Sequence, residues 1–122
     1  MAKILLAEDD TSMRGFLTAA LEKAGHEVEA RIDGLDALRA LENARDGDFD
    51  LLLADIVMPG MDGIELAQKA AELHASIKVM FITGFAAVAM GARNPQRAQA
   101  RVLSKPFHLK DLVDQVNQLL AA

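Results

Sequence analysis

The chain contains no cysteine, which excludes disulfides, thiolate metal centres and cysteine nucleophiles. It has no surplus of positive charge: thirteen Lys+Arg stand against eighteen Asp+Glu, a net charge of −5. A nucleic-acid binder usually carries a basic excess, and no nucleic acid is expected as a partner. No apolar stretch approaches the roughly 18 residues of a membrane helix, so no membrane insertion is expected. The run Ile4-Leu5-Leu6-Ala7 stops at Glu8, too soon for a signal peptide, and a cytoplasmic location is expected. No repeat or low-complexity linker interrupts the 122 residues. Residues 1–122 are expected to form one domain. What is present is apolar matter: 52% of residues are hydrophobic and 25% charged, a balance that excludes disorder.

The apolar residues come in two patterns. Ile4–Ala7, Leu51–Ala54 and Val79–Ile82 are short continuous runs, suited to strands buried on both faces of a parallel sheet. Val28, Ala30 and Ile32 alternate with Glu29 and Arg31, the pattern of a half-exposed edge strand, and the short Val102-Leu103 predicts a second edge. Helical spacing fills the gaps. Met13, Phe16, Leu17, Ala20, Leu21 and Ala24 mark a first helix, capped by Thr11 or Ser12 and ended by Gly25. Leu35, Leu38 and Leu41 mark a second, and Ile64, Leu66, Ala67, Ala70, Ala71 and Leu73 a third. Phe85 to Met90 predicts a fourth, and Leu109, Leu112, Val113, Val116, Leu119 and Leu120 a fifth. Five β-α units imply an α/β fold with right-handed crossovers. The expected architecture is flavodoxin-like (βα)5: a five-stranded parallel sheet in order 2-1-3-4-5 with helices on both faces.

In such sheets chemistry sits at the carboxyl ends of the strands. There the sequence places Glu8, Asp9 and Asp10 after the first strand, Asp55 after the third, Thr83 after the fourth and Ser104-Lys105-Pro106 after the fifth. Carboxylates gathered on one rim repel, and require protons or a cation. Oxygen ligands without His or Cys among them favour Mg²⁺. An Asp beside a metal and a lysine can act as a nucleophile toward a phosphoryl group, and a threonine hydroxyl can bond a phosphoryl oxygen. Each residue alone has a plainer reading: Asp55 as a turn residue, Glu8-Asp9-Asp10 as complements to a helix dipole, Thr83 as a β-branched strand residue, Lys105 as a solvated turn lysine. Their coincidence at the ends of different strands argues for a shared site. His26, His74 and His108 are scattered, and read as surface or helix-start residues.

These residues resemble the receiver domain of bacterial two-component response regulators. The resemblance spans essentially the whole chain. It is carried by Leu6-Ala7-Glu8-Asp9-Asp10, by Asp55-Ile56-Val57-Met58-Pro59-Gly60-Met61-Asp62-Gly63, by Thr83-Gly84 and by Lys105-Pro106-Phe107. It implies that Asp55 is the phosphoacceptor. Glu8 and Asp9 would be the acidic pair for Mg²⁺, with Asp55 and the Val57 carbonyl completing the protein's share of the coordination, and Asp10 outside the pair. Thr83 would be the switch hydroxyl, Lys105 the phosphoryl-binding lysine and Gly84 the residue that leaves room for the incoming group. The Lys105-Pro106 bond would be cis. The phosphoryl group would come from a histidine kinase or a histidine phosphotransferase. The protein would not be an enzyme beyond assisting its own phosphorylation and dephosphorylation.

One position departs from the family. Val102 stands where receivers usually carry Tyr or Phe, and the chain has no Tyr. Apolar Val57 cannot orient a hydrolytic water by hydrogen bonding, so slow self-dephosphorylation is expected; a half-life of seconds for the purified phosphoprotein would contradict it. The fifth helix is expected to end the chain, so output would pass through a surface near Arg93, Arg97 and Arg101. Within the family the resemblance is to stand-alone receivers of alphaproteobacteria that serve as phosphorylation-controlled adaptors of the ClpXP protease. It implies a monomer that binds ClpX, acts in cell-cycle proteolysis and gathers at the cell pole. Ala121 and Ala122 would then form a ClpX-recognised tail. A phosphorelay shuttle without adaptor role is the alternative. A haloacid-dehalogenase-type phosphatase would need an acid at Val57, a flavodoxin would have its FMN phosphate repelled by Glu8-Asp9-Asp10, and a P-loop protein would need a glycine-rich lysine motif that is absent.

Overall fold

Three all-apolar runs form the middle of one sheet. In the computed structural model, which describes residues 2–84 and 101–122, the elements are β1 (Lys3–Ala7), α1 (Thr11–Lys23), β2 (Glu27–Arg31), α2 (Gly34–Glu42) and β3 (Leu51–Asp55). Then come α3 (Gly63–Leu73), β4 (Lys78–Thr83), β5 (Arg101–Ser104) and α4 (Leu109–Ala121). The strands are parallel, in order β2-β1-β3-β4-β5. The helix expected over 85–90, and Arg93 and Arg97, lie outside the described residues.

Alternate strand residues serve opposite cores, as the pleat requires. Leu5, Ala7, Leu52, Ala54 and Phe81 face α2 and α3, where Ala37, Leu41, Leu66, Ala67 and Ala70 are buried. Ile4, Leu6, Leu51, Leu53, Met80 and Ile82 face α1 and α4, against Leu17, Leu21, Leu112 and Val116. Val102 packs against the first of these cores and Leu103 against the second. The register sets Asp55 beside Ile82 and Thr83 beside Ser104, so these strand ends share one rim.

Several expectations need correction. The edge strand β2 does not alternate as its sequence suggests: Ala30 is exposed, and Ile32 lies beyond the strand and is 56% exposed. Charge pairing organises this edge instead. Arg31 bonds Glu29 at 2.6 Å and Asp36 at 3.1 Å, and this pairing holds the Arg31 side chain more firmly charged than usual. Helix α1 is capped by Asp10, whose Oδ1 accepts the Met13 N–H at 2.9 Å, not by Thr11 or Ser12. In α2 the buried positions are Gly34, Ala37, Ala40 and Leu41, while Leu35 is exposed. The close approach of Gly34 to the Met61 carbonyl leaves no room for a Cβ there, which brings the helix against the loop after β3. Leu73 and Leu109 are also exposed. His74 is not a surface residue: it is 3% exposed at the end of α3, and its Nε2–H donates to the Leu41 carbonyl at 2.7 Å. No described helix is long and apolar enough to cross a membrane.

Candidate functional site

The carboxyl rim is built from strand ends whose side chains are polar where the runs before them are apolar. Glu8 follows β1 and is fully buried; Asp55 closes β3 at 5% exposure; Thr83 closes β4 and is fully buried. Glu8, Asp9 and Asp55 offer carboxylate oxygens that all lie within 4.8 Å of one another. Lys105 reaches into this group from the loop after β5. Its Nζ donates to Asp55 Oδ2 at 2.8 Å and stands 3.5 Å from Glu8 Oε1. Its backbone N–H donates to the Thr83 carbonyl at 2.9 Å, and the Lys105-Pro106 peptide is cis. The backbone bond to Thr83 ties the lysine to the end of β4, and its ammonium meets Asp55.

Each acid is held differently. Asp55 Oδ1 accepts the Val57 N–H at 3.1 Å, so both its oxygens are engaged. The carbonyl of Asp55 lies against Gly63, where a Cβ would collide with it; Gly63 N–H in turn donates to the Ile56 carbonyl at 2.9 Å. Gly60 turns this loop in the left-handed region, at φ +76°. Glu8 Oε2 accepts the Asp10 N–H at 3.1 Å. Asp9 is exposed. The Asp10 side chain is taken up as the cap of α1. Val57 presents an apolar side chain, 53% exposed, on the lip of the pocket. At Gly84 no described residue lies within 4 Å of where a Cβ would stand.

The electrostatics follow from burial. Desolvation pushes the Glu8 carboxyl up to about 7, against the pull of the Asp10 N–H and of Lys105; the Asp55 charge adds to the rise. Burial pulls Lys105 down, but its hydrogen bond to Asp55 and the charges of Asp55 and Glu8 outweigh this and hold it above its ordinary value. Among the described residues three carboxylates are answered by one ammonium, an excess of negative charge in which two of the acids, Glu8 and Asp55, are buried. An all-oxygen donor set of this kind suits a hard divalent cation, and Mg²⁺ above all, because it needs few protein carboxylates and keeps several waters.

Sequence reasoning placed Glu8, Asp9, Asp55, Thr83 and Lys105 on this rim, and the structure brings three of them, Glu8, Asp55 and Lys105, into ion-pair reach. It missed Arg14, whose Nη1 donates to the Glu8 carbonyl at 2.8 Å. A signal was present: a cation in the first turn of a helix opposes the helix dipole, and such a residue needs a compensating acceptor.

Comparison with known proteins accords with this geometry. Residues 4–117 match the response regulator receiver domain. The chain is 53% identical, over 122 residues, to the response regulator receiver protein CpdR of Brucella abortus, covering 100% of this chain and 99% of that protein. It is 35% identical over 119 residues to the sensor kinase CckA of the same organism, of which it spans only 12%. The crystal structure of the receiver domain from the hybrid histidine kinase CckA superimposes with a TM-score of 0.81 at 35% identity, over 97% of this chain and 98% of that one.

Proposed function

The chain belongs to the response regulator receiver family, and from that premise we propose that it takes a phosphoryl group onto Asp55 and changes its protein-binding surface in response. The observation that carries the proposal is the 2.8 Å contact between Lys105 Nζ and Asp55 inside a cluster of three carboxylates. The receiver domain occupies residues 1–122. Asp55 attacks the phosphorus of a phosphohistidine carried by a histidine kinase or a histidine phosphotransferase, and the imidazole leaves. Glu8, Asp9, Asp55 and the Val57 carbonyl would hold Mg²⁺, which supplies charge neutralisation for the transferring oxygens.

This chain's own residues do the rest. The Val57 N–H and Lys105 fix the Asp55 carboxylate. Lys105 then follows the charge onto the phosphoryl oxygens, because its attachment to the Thr83 carbonyl keeps its stem in place. Thr83 donates its hydroxyl to a phosphoryl oxygen, and Gly84 leaves that approach clear. Pro106 fixes the turn behind the lysine. Transfer to and from Asp55 is the extent of the catalysis.

The extensive identity to a protein named CpdR, with the resemblance to stand-alone adaptors, supports an output in ClpXP-dependent proteolysis, in the cytoplasm and at the cell pole, by a monomer. Mass spectrometry after incubation with a small phosphodonor and Mg²⁺ tests the chemistry: wild type gains one phosphoryl group and Asp55→Ala gains none. Phosphoryl addition that survives Asp55→Ala would refute it. Capture on ClpX, with and without an acyl-phosphate mimic, tests the output. Binding that changes with the mimic supports the adaptor; no binding in either state leaves the phosphorelay shuttle.

A further inference from the structure

Asp9 is the exposed member of the acidic group, and among the described residues its side chain meets only the buried Glu8 carboxyl, itself an acid. Its position rests on the two peptide units that flank it. The unit after it is fixed by the Asp10 N–H on Glu8 Oε2, at 3.1 Å. The unit before it is fixed by the Glu8 carbonyl on Arg14 Nη1, at 2.8 Å. Arg14 lies in the first turn of α1, where its own N–H donates to the Asp10 carbonyl at 2.9 Å and its carbonyl accepts Thr18 Oγ1 at 2.7 Å. Helical side chains lean toward the helix N-terminus, and this lean carries the guanidinium back over the loop. The same loop is held from the other side by the Glu8 N–H on the Arg31 carbonyl, at 3.2 Å.

From this arrangement we infer that Arg14 is a positioning residue for the metal pocket: it clamps the Glu8–Asp9 peptide and so presents the Asp9 carboxylate to Mg²⁺ before the ion arrives. The inference rests on the proposed metal site. A free Glu8–Asp9 peptide would rotate, and Mg²⁺ binding would bear the cost of ordering it. A charged donor is the right choice, because a charge-assisted hydrogen bond to a carbonyl is stronger than a neutral one. The guanidinium also adds positive charge near a cation site, which on its own would weaken binding. The two effects have opposite signs, and this makes the inference testable.

Isothermal titration of the full chain with Mg²⁺ is compared for wild type, Arg14→Met and Arg14→Lys, with thermal unfolding recorded in Mg²⁺-free buffer. Arg14→Met is expected to raise the Mg²⁺ Kd about tenfold, the lower end of what loss of a ligand-orienting group costs. Arg14→Lys, with a charged donor on a shorter reach, is expected to recover part of that loss. With a small phosphodonor, the Mg²⁺ concentration for half-maximal phosphorylation rises in Arg14→Met while the rate at saturating Mg²⁺ holds. An unchanged or tighter Kd in Arg14→Met, with or without a lower Tm, overturns the inference, since a merely structural contact or a repelling charge would give that result. A wild-type chain that binds no Mg²⁺ overturns the proposed function, and the inference with it.

Discussion

At the amino end of the strands, polar groups are paired off against backbone. Asp50 Oδ2 accepts the Lys3 N–H at 2.8 Å, and the Asp50 N–H donates to the Lys3 carbonyl at 2.8 Å. His26 accepts the Ala2 N–H on Nδ1, so its Nε2 carries the proton that Asn117 Oδ1 accepts at 2.8 Å. Lys78 Nζ donates to the carbonyls of Leu119 and Ala122 at 2.9 and 2.7 Å. At the carboxyl end of the same strands, Glu8 and Asp55 are buried beside Asp9 with Lys105 between them. One rim completes hydrogen bonds that β1, β4 and α4 would otherwise leave open. The other concentrates like charge where burial makes it costly. This fold keeps its stability at the first rim and gives stability up for chemistry at the second.

The most direct test of that contrast is Asp55→Asn. Neutralising one of three clustered carboxylates relieves repulsion and leaves Lys105 to Glu8. In Mg²⁺-free buffer at neutral pH the variant is expected to be about 1–2 kcal/mol more stable than wild type by urea denaturation. A loss of stability would mean that attraction to Lys105 dominates the rim, and the contrast between the two ends would fail.

The same crowding of charge sets a pH dependence. In the folded chain the Glu8 carboxyl lies at about 7, above its ordinary value of 4.5, because burial disfavours its charged form. The folded state therefore holds a proton that the unfolded chain has released. That contribution to stability is fully present below pH 4.5 and is lost as the pH rises through about 7. It amounts to at most about 3 kcal/mol. Without Mg²⁺, unfolding curves at pH 5.5 and 7.5 should differ in this sense, and Glu8→Gln should flatten the difference. Added Mg²⁺ should stabilise wild type more at pH 7.5 than at pH 5.5, because at the lower pH a proton already occupies Glu8. An equal effect of Mg²⁺ at both would separate Glu8 from the cation site.

Much of this contrast was legible in the sequence, and for physical reasons. Continuous apolar runs can be buried on both faces only in the middle of a parallel sheet, so β1, β3 and β4 announced themselves. An acid, a threonine or a lysine placed just after such runs must come to the same rim. The amino rim was not legible, because its bonds join a side chain to a backbone group far along the chain: His74 to Leu41, Lys78 to Leu119, Asp50 to Lys3. No local pattern encodes such a partner. His74 read as a surface residue because one polar side chain after a helix looks solvated until the facing helix is known. The edge strand β2 misled because charge pairs occupy its side chains, Arg31 with Glu29 and Asp36, while period-2 patterning speaks only of hydrophobic burial. Asp10 was ambiguous because three acids in a row leave open which of them turns outward to cap α1.

A change at the amino rim should leave the carboxyl rim untouched. Lys78 opens β4 and Thr83 closes it; at about 3.3 Å per residue the two ends lie about 17 Å apart. This is about two Debye lengths at physiological salt. Lys78→Met removes two charge-assisted bonds to the last turn of α4, where a cation also suits the helix dipole. The cost should be about 1 kcal/mol, read as a lower urea midpoint and faster amide exchange in the last turn. Mg²⁺ affinity and the rate of phosphoryl uptake on Asp55 should stay at wild-type values, because screening removes the direct electrostatic path and the core residues Met80, Phe81 and Ile82 between the two ends are fully buried and unchanged. Altered Mg²⁺ affinity or phosphoryl uptake in Lys78→Met would show that β4 transmits strain along its length, and that the two rims work as one device.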